Sequence, residues 1–210
     1  SAVQPLVPAN STPALAEAAQ LLLPHLEQGS RIDAPALRAA MDAAFGGSDT
    51  DGVWDWKTAY DACEGAAVLF LRKYGKALFR KAASKAARLS AISKIANLLP
   101  THTRRSEDAQ TFQQFSTPIE LAFAAATAAA VGPADVVLEP SAGTGLLATF
   151  VELAGSGLVL NELAEPRAGL LNQLFPGVSV TRHDAAHIHD HLDEALRPSV
   201  VLMNPPFSVA

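Results

Sequence analysis

Two kinds of apolar patterning divide the 210-residue chain. Up to about residue 100, alanines and larger apolar residues recur three and four apart, the spacing of helices with one buried face. Thr12-Pro13 opens a first helix running to about Glu27, with Gly29 past its end. Asp33-Ala34-Pro35 opens a second, which Gly46-Gly47 closes. A third is predicted from roughly Trp54 to Tyr74 and a fourth from roughly Lys76 to Leu99. Thr117-Pro118-Ile119-Glu120 reads as a capping box with Pro at the first helical position, starting an alanine-rich helix that ends near Gly132. From Ala134 the pattern changes. Short apolar runs at 135–139, 158–162, 178–181 and 200–203 alternate with helical stretches at 143–154, 163–174 and 186–196. That alternation predicts an α/β fold with a parallel, doubly wound sheet behind an all-helical front. The divisions expected are a flexible tail at 1–11, a helical accessory domain at 12–100, a polar connector at 101–117 and the α/β part at 118–210.

Composition narrows the class. Charged residues are 18% and apolar residues 49%, as in a folded globular chain. The net charge of −5 gives the whole molecule no general attraction for polyanions, so nucleic-acid binding requires a local basic patch. One is present. Arg72, Lys73, Lys76, Arg80, Lys81, Lys85, Arg88 and Lys94 follow one another with no acid between Glu64 and Glu107. They read as a phosphate-contacting face or as an ordinary solvated helix face. The single cysteine, Cys63, excludes an internal disulfide framework and fits a reducing cytoplasm. No apolar run reaches the roughly 18 residues of a membrane span. Ser1-Ala2-Val3-Gln4-Pro5 has no signal-peptide pattern and looks like a trimmed end. Trp54 and Trp56 are assigned to packing rather than to base stacking. Asp49-Thr50-Asp51-Gly52 has a calcium-loop flavour, but Tyr60 stands where the bidentate Glu is required.

The chemistry-bearing residues lie at the ends of the predicted strands. The first strand runs into Glu139-Pro140-Ser141-Ala142-Gly143-Thr144-Gly145. Glycines there let a ligand approach the backbone, and the following helix presents free N–H groups and a positive dipole end. Glu162, ending the second strand, is placed to bond two ribose hydroxyls. Asp184, with Ala185 beside it after the third strand, can accept from an adenine amino group. The fourth strand stops at Asn204-Pro205-Pro206-Phe207, because consecutive prolines can neither continue a helix nor donate to a ladder. Gly143-x-Gly145-x-x-Ala148 also satisfies a dinucleotide fingerprint. Against it, the loop is lengthened by Pro140-Ser141, and Asn-Pro-Pro-Phe has no role in hydride transfer. His183, Asp184, His187, His189, Asp190 and His191 include an i, i+4 histidine pair, but no cysteine joins them. They are read as a polar helix start, with no metal assigned.

The glycine loop followed by Asn204-Pro205-Pro206-Phe207 resembles the S-adenosylmethionine-dependent amino-methyltransferases, and most of all the adenine-N6 DNA methyltransferases. Phe115-Ser116-Thr117-Pro118, the glycine loop, Asn161-Glu162, Asp184 and Asn-Pro-Pro-Phe stand in the order of the branch whose cofactor loops precede the catalytic motif. The resemblance implies a Rossmann-like methyltransferase sheet, S-adenosylmethionine as cofactor and DNA as partner. It implies that Phe115 and Thr117 help enclose the methionine end of the cofactor. It implies that Asn204 and the Pro205 carbonyl accept hydrogens from the target amine, that Pro206 stiffens the corner and that Phe207 stacks on a flipped base. Such acceptors make sense, because the amine's lone pair is delocalised into the ring until the nitrogen becomes tetrahedral.

The helical front, with Leu99-Pro100-Thr101-His102-Thr103-Arg104-Arg105, is similar to the strawberry-notch-like methylase–helicase fusions of bacteria and plasmids or phages. That similarity implies a helicase region following in the same native chain. It also implies further strands beyond Ala210, so that the sheet as it stands would expose an edge. The alternatives are an enzyme that methylates a protein glutamine amide or an RNA guanine amine, and a non-catalytic cofactor- or nucleic-acid-binding module.

Overall fold

A computed structural model describes residues 11–100, 117–193 and 195–204. The tail and connector expected at 1–11 and 101–117 lie, apart from Ser11 and Thr117, outside the described residues. So do Phe115, Ser116, Pro205, Pro206 and Phe207.

The front is helical, as the periodicity predicts. Helix α1 is Ser11–Glu27, α2 is Ala34–Phe45, α3 is Trp56–Lys81 and α4 is Lys85–Ala96. Asp33 caps α2 by accepting from the Ala36 amide, and Gly46 ends it in the left-handed conformation at φ 72°. Asp55 caps α3 through the Thr58 amide. Helix α3 differs from expectation. It runs 26 residues, about 39 Å, straight through Gly75, where a break was predicted. Gly75 is there for packing: a Cβ would stand 2.7 Å from Leu153 Cδ1. The helix stops instead at Ala82-Ala83-Ser84, where Ser84 caps α4 by accepting from Ala87 N.

The second half is α/β. Its elements are α5 (Ile119–Ala128), β1 (Val136–Glu139), α6 (Leu146–Leu153), β2 (Gly157–Asn161), α7 (Glu165–Leu174), β3 (Val180–Thr181), a 3₁₀ segment (Ala185–Asp190) and β4 (Val200–Val201). All pairings are parallel and the order is β3-β2-β1-β4. After three strands laid down in one direction, the chain returns to the far side of β1. The carboxyl ends of β1 and β4 are therefore neighbours at a reversal point, where open parallel sheets form their crevice.

Three local expectations are corrected. The helix predicted for 186–196 is only the 3₁₀ segment, because the stretch has no apolar face: Ala186, His187, His189 and Asp190 are all exposed. The alanine-rich helix ends at Ala128 rather than near Gly132, with Ala130 in the left-handed region at φ 52°. The capping box at Thr117–Glu120 does not form. Pro118 occupies the cap position with no side-chain bond, and Thr117 serves another partner.

One hydrophobic cluster joins the two halves, from Leu15 in α1 to Phe175 after α7. Helix α3 packs on α6 and α7, α1 on α7, and α5 on α4 and α6. Phe79, Phe123 and Phe150 meet at centroid distances of 5.5–6.4 Å and tie α3, α5 and α6 together. Trp54 is buried, its indole N–H donating to Asp42 and to the Gly47 carbonyl. Arg72 grips Glu152 with two bonds of 2.7 and 2.8 Å, donates to the Leu174 carbonyl and lies over the Phe175 ring. At the other end of the sheet, β4 is an edge strand among the described residues, with Val201 and Met203 about half exposed. No helix among the described residues is long and apolar enough to cross a membrane.

The deepest polar tie between the halves is Arg167 of α7 to Asp61 of α3, with bonds of 2.9 and 2.7 Å. Both residues are buried. Burial alone would depress the Arg167 guanidinium, but the Asp61 carboxylate, with Glu64 and Glu162 nearby, raises it above its ordinary value. Asp61→Ala strands that charge in the core. Urea denaturation of the variant is expected to show a loss of about 3–5 kcal/mol. A loss below about 1 kcal/mol would mean that the pair behaves as a solvated one.

Candidate functional site at the carboxyl edge of the sheet

The loop after β1 turns under two positive-φ glycines, Gly143 at 57° and Gly145 at 88°. They serve different ends. A Cβ on Gly143 would meet nothing within 4 Å, so this residue keeps the loop low beside an open space. A Cβ on Gly145 would lie 2.5 Å from Phe175 Cε2 and 2.9 Å from Leu171 Cδ2, so this one lets α7 close on the loop. Gly145 caps α6 without a side-chain bond, and in the first turn the Ala148 amide donates to Glu139.

A cleft of about 200 Å³ opens on that loop. It brings together Thr117, Glu139, Pro140, Ser141, Ala142, Gly143, Thr144, Glu162, Asp184, Ala185 and Asn204, which the sequence reading drew from five separate stretches. Pro118, Gly145 and Asn161 do not line it. Pro118 is exposed at the start of α5. Asn161 is a buried knot. Its Nδ2 donates to the carbonyls of Pro140 (2.9 Å) and His183 (2.8 Å), and its Oδ1 accepts from the His183 amide and the Thr181 hydroxyl. Leu146, Leu147, Leu163, Arg167 and His183 complete the wall without having been singled out for it. No sequence signal marked Arg167, because its helix, Glu165–Leu174, carries Glu, Asn and Gln as well and gives no sign that the arginine is buried.

Glu162 is buried and braced on both oxygens. Oε2 accepts from the Gly143 amide and Oε1 from the Ala164 amide, each at 2.8 Å. A carboxylate oxygen accepts two bonds, so each retains capacity toward the cleft. Asp184 is exposed, and its Oδ1 accepts from the Ala186 amide. Asn204, just beyond β4, donates from Nδ2 to Thr117 Oγ1 at 3.0 Å. That bond fixes which way the amide faces and reserves Oδ1 as its acceptor. The rings of His183 and His191 stack at 4.0 Å. No group of three or more His, Cys, Asp or Glu that could hold a metal ion is found among the described residues.

Of the eight basic residues from 72 to 94, three are committed within the protein. Arg72 binds Glu152, Lys73 pairs with Glu27 at 2.8 Å, and Arg88 donates to the carbonyls of Ala82 and Phe79. Lys76, Arg80, Lys81, Lys85 and Lys94 are exposed.

Glu139, at the end of β1, is the least settled group in the cleft. It is 4% exposed, and its Oε2 has no hydrogen-bond partner among the described residues. Burial pushes its carboxyl well above the ordinary range, the Glu162 carboxylate adds to this, and the Ala148 amide opposes it. Scans of the chain against protein-family models, curated proteins and solved structures return no match.

A raised carboxyl pKa means that the folded protein holds a proton the unfolded chain releases above its ordinary value of 4.5. The stability this carries is whole below that value and is lost as pH rises through the folded-state pKa. Thermal midpoints of the ligand-free protein are expected to fall from about pH 5 to about pH 8 more steeply for wild type than for Glu139→Gln, which stays neutral. Equal slopes would show the carboxyl to be ionised throughout.

Proposed function

We propose that the chain carries the cofactor- and amine-binding halves of an S-adenosylmethionine-dependent methyltransferase acting on the exocyclic N6 amine of a flipped adenine in DNA. The observation that carries this reading is the meeting of Asn204 and the glycine loop in one cleft, at the reversal point of a parallel sheet. The strand order β3-β2-β1-β4 is that of one half of a Rossmann-like sheet and its first neighbour across the reversal, which supports a methyltransferase-type fold.

The residues suit the cofactor. Gly143 leaves room for close approach, and α6 begins without an N-cap side-chain bond, so its first amides, ahead of the Ala148 amide that Glu139 takes, can meet a ligand. The spare acceptor capacity of Glu162 matches a ribose diol, and the exposed Asp184 matches an adenine amino group. The unpartnered Oε2 of Glu139 matches a donor such as the methionine ammonium. When bound, S-adenosylmethionine supplies a methyl group on a cationic sulfur. The chain's part is alignment and polarity. Thr117 holds Asn204 so that Oδ1 faces the amine, drawing on its hydrogens as nitrogen turns tetrahedral. The roles that the resemblance gives Pro205, as second acceptor, and Phe207, as stacking face, belong to the same proposal. The five exposed cations on α3 and α4 would meet phosphates, which favours a nucleic acid over a protein acceptor.

Labelled methyl transfer by the native polypeptide, offered DNA, RNA and protein together, tests the reading. Label is expected on adenine N6 of DNA. Asn204→Ala is expected to lower kcat by about 100-fold or more, and Thr117→Val by about tenfold, with cofactor affinity little changed. Label on RNA or protein would overturn the acceptor, and an unaffected Asn204→Ala variant would overturn the catalytic assignment.

A further inference from the structure

The helical front holds two residues of the cleft wall from behind with acids that do not line the cleft themselves. Asp61 and Glu64 stand i, i+3 on α3, so they share one face of that helix. Both are buried, among Ala59, Ala62, Ala66 and Ala67. Asp61 meets Arg167, on the helix after β2. Glu64 reaches the loop after β1, its Oε2 accepting from the Thr144 hydroxyl at 2.6 Å in a fully buried bond. Shape alone does not account for Glu64. A buried carboxylate is expensive unless bonded, and a Leu or Met would fill the same space without that cost.

Thr144 sits between Gly143 and Gly145, both at positive φ. A stretch of that kind is intrinsically soft, because glycine restricts the backbone least. The middle residue is the only one of the three with a side chain to hold. A hydroxyl has a single proton to donate, and Thr144 gives it to Glu64. The same loop is held from the other side by Glu162, through the Gly143 amide. The loop is thus gripped by one carboxylate from the sheet and one from the front.

We propose that Glu64 is a positioning residue for the cofactor loop: the helical front, through the Glu64–Thr144 bond, sets the loop in its ligand-ready shape. This rests on the reading of the cleft as an S-adenosylmethionine site. The front is then part of the binding machinery, and not only a cover for the hydrophobic faces of α6 and α7. Ordering the loop before the ligand arrives removes an entropic cost from binding. A bond that merely glued the halves together would affect stability and leave affinity per folded molecule untouched.

Calorimetric titration of the native polypeptide with S-adenosylmethionine separates the two, with folding checked by circular dichroism and thermal midpoint. Glu64→Met and Thr144→Val are each expected to weaken binding about tenfold, and the double variant no further, since both remove one shared bond. Glu64→Gln keeps an acceptor and is expected to recover most of the affinity. Should Glu64→Met fail to fold, the near-isosteric Thr144→Val against Thr144→Ser carries the comparison: weakened binding for the first and near wild-type binding for the second. Variants that fold and bind like wild type, or losses that simply add, overturn the positioning role while the cofactor site stands. A wild-type protein that binds no S-adenosylmethionine overturns the reading of the cleft, and this inference with it.

Discussion

The cleft depends on one side chain that never enters it. Asn161 is almost wholly buried and uses its amide four times, toward Pro140, Thr181 and both backbone groups of His183. A buried amide with its donors and acceptors satisfied has one orientation, and any rotation strands several bonds at once. It therefore fixes three loops relative to one another, those after β1, β2 and β3. The neighbours of these anchor points are the residues that face the cleft. Glu162 follows Asn161 in the chain, Asp184 follows His183, and Ser141 follows Pro140. Their placement is inherited from a knot, and this is why such short strands, two residues in the case of β3, suffice to build a site.

The same logic operates at larger scale between the two halves. Helix α3 is continuous, so whatever it touches at one end is rigidly related to the other. Its first half holds Arg167 and Thr144, and its second half meets Leu153 at Gly75 and, through Arg72, holds Glu152 and the carbonyl at the end of α7. Small residues make the approach possible. Gly65, facing Ala19 of α1, has no room for a side chain without a Cβ–Cβ distance of 3.0 Å. Dispersion and burial then act across a single shared core, with the polar ties deciding register.

Much of this was legible because it is local. The change from helical spacing to short apolar runs marked the α/β half, and the glycine loop and the acid after β2 mark strand ends by their chemistry. What escaped is what depends on distant partners. Gly75 looks like a helix breaker in one dimension and is a packing contact in three. Thr117 has the pattern of a cap, yet its hydroxyl is taken by a residue 87 positions away. The crossover at 186–196 had helix length but no apolar stripe, and without a face to bury a helix gains too little to form. Asp61 and Glu64 were readable in principle, since two acids on one face amid alanines require buried partners. Nothing in the sequence said that those partners were Arg167 and the glycine loop.

The charge arrangement in the cleft follows from the same geometry. Glu162 spends one acceptance of each oxygen on backbone amides, Arg167 is held by Asp61, and Glu64 is held against Thr144. Glu139 is the group left over, with a carboxyl whose environment favours its protonated form and an oxygen that no described residue bonds. Two carboxyls near one another in a buried wall cannot both ionise cheaply unless something positive lies between them. A neutral ligand leaves that tension in place. A ligand bearing an ammonium relieves it, because it gives Glu139 both a hydrogen-bond donor and a counter-charge. Of two ligands of the same shape, the wall as built favours the one that brings a cation to Glu139.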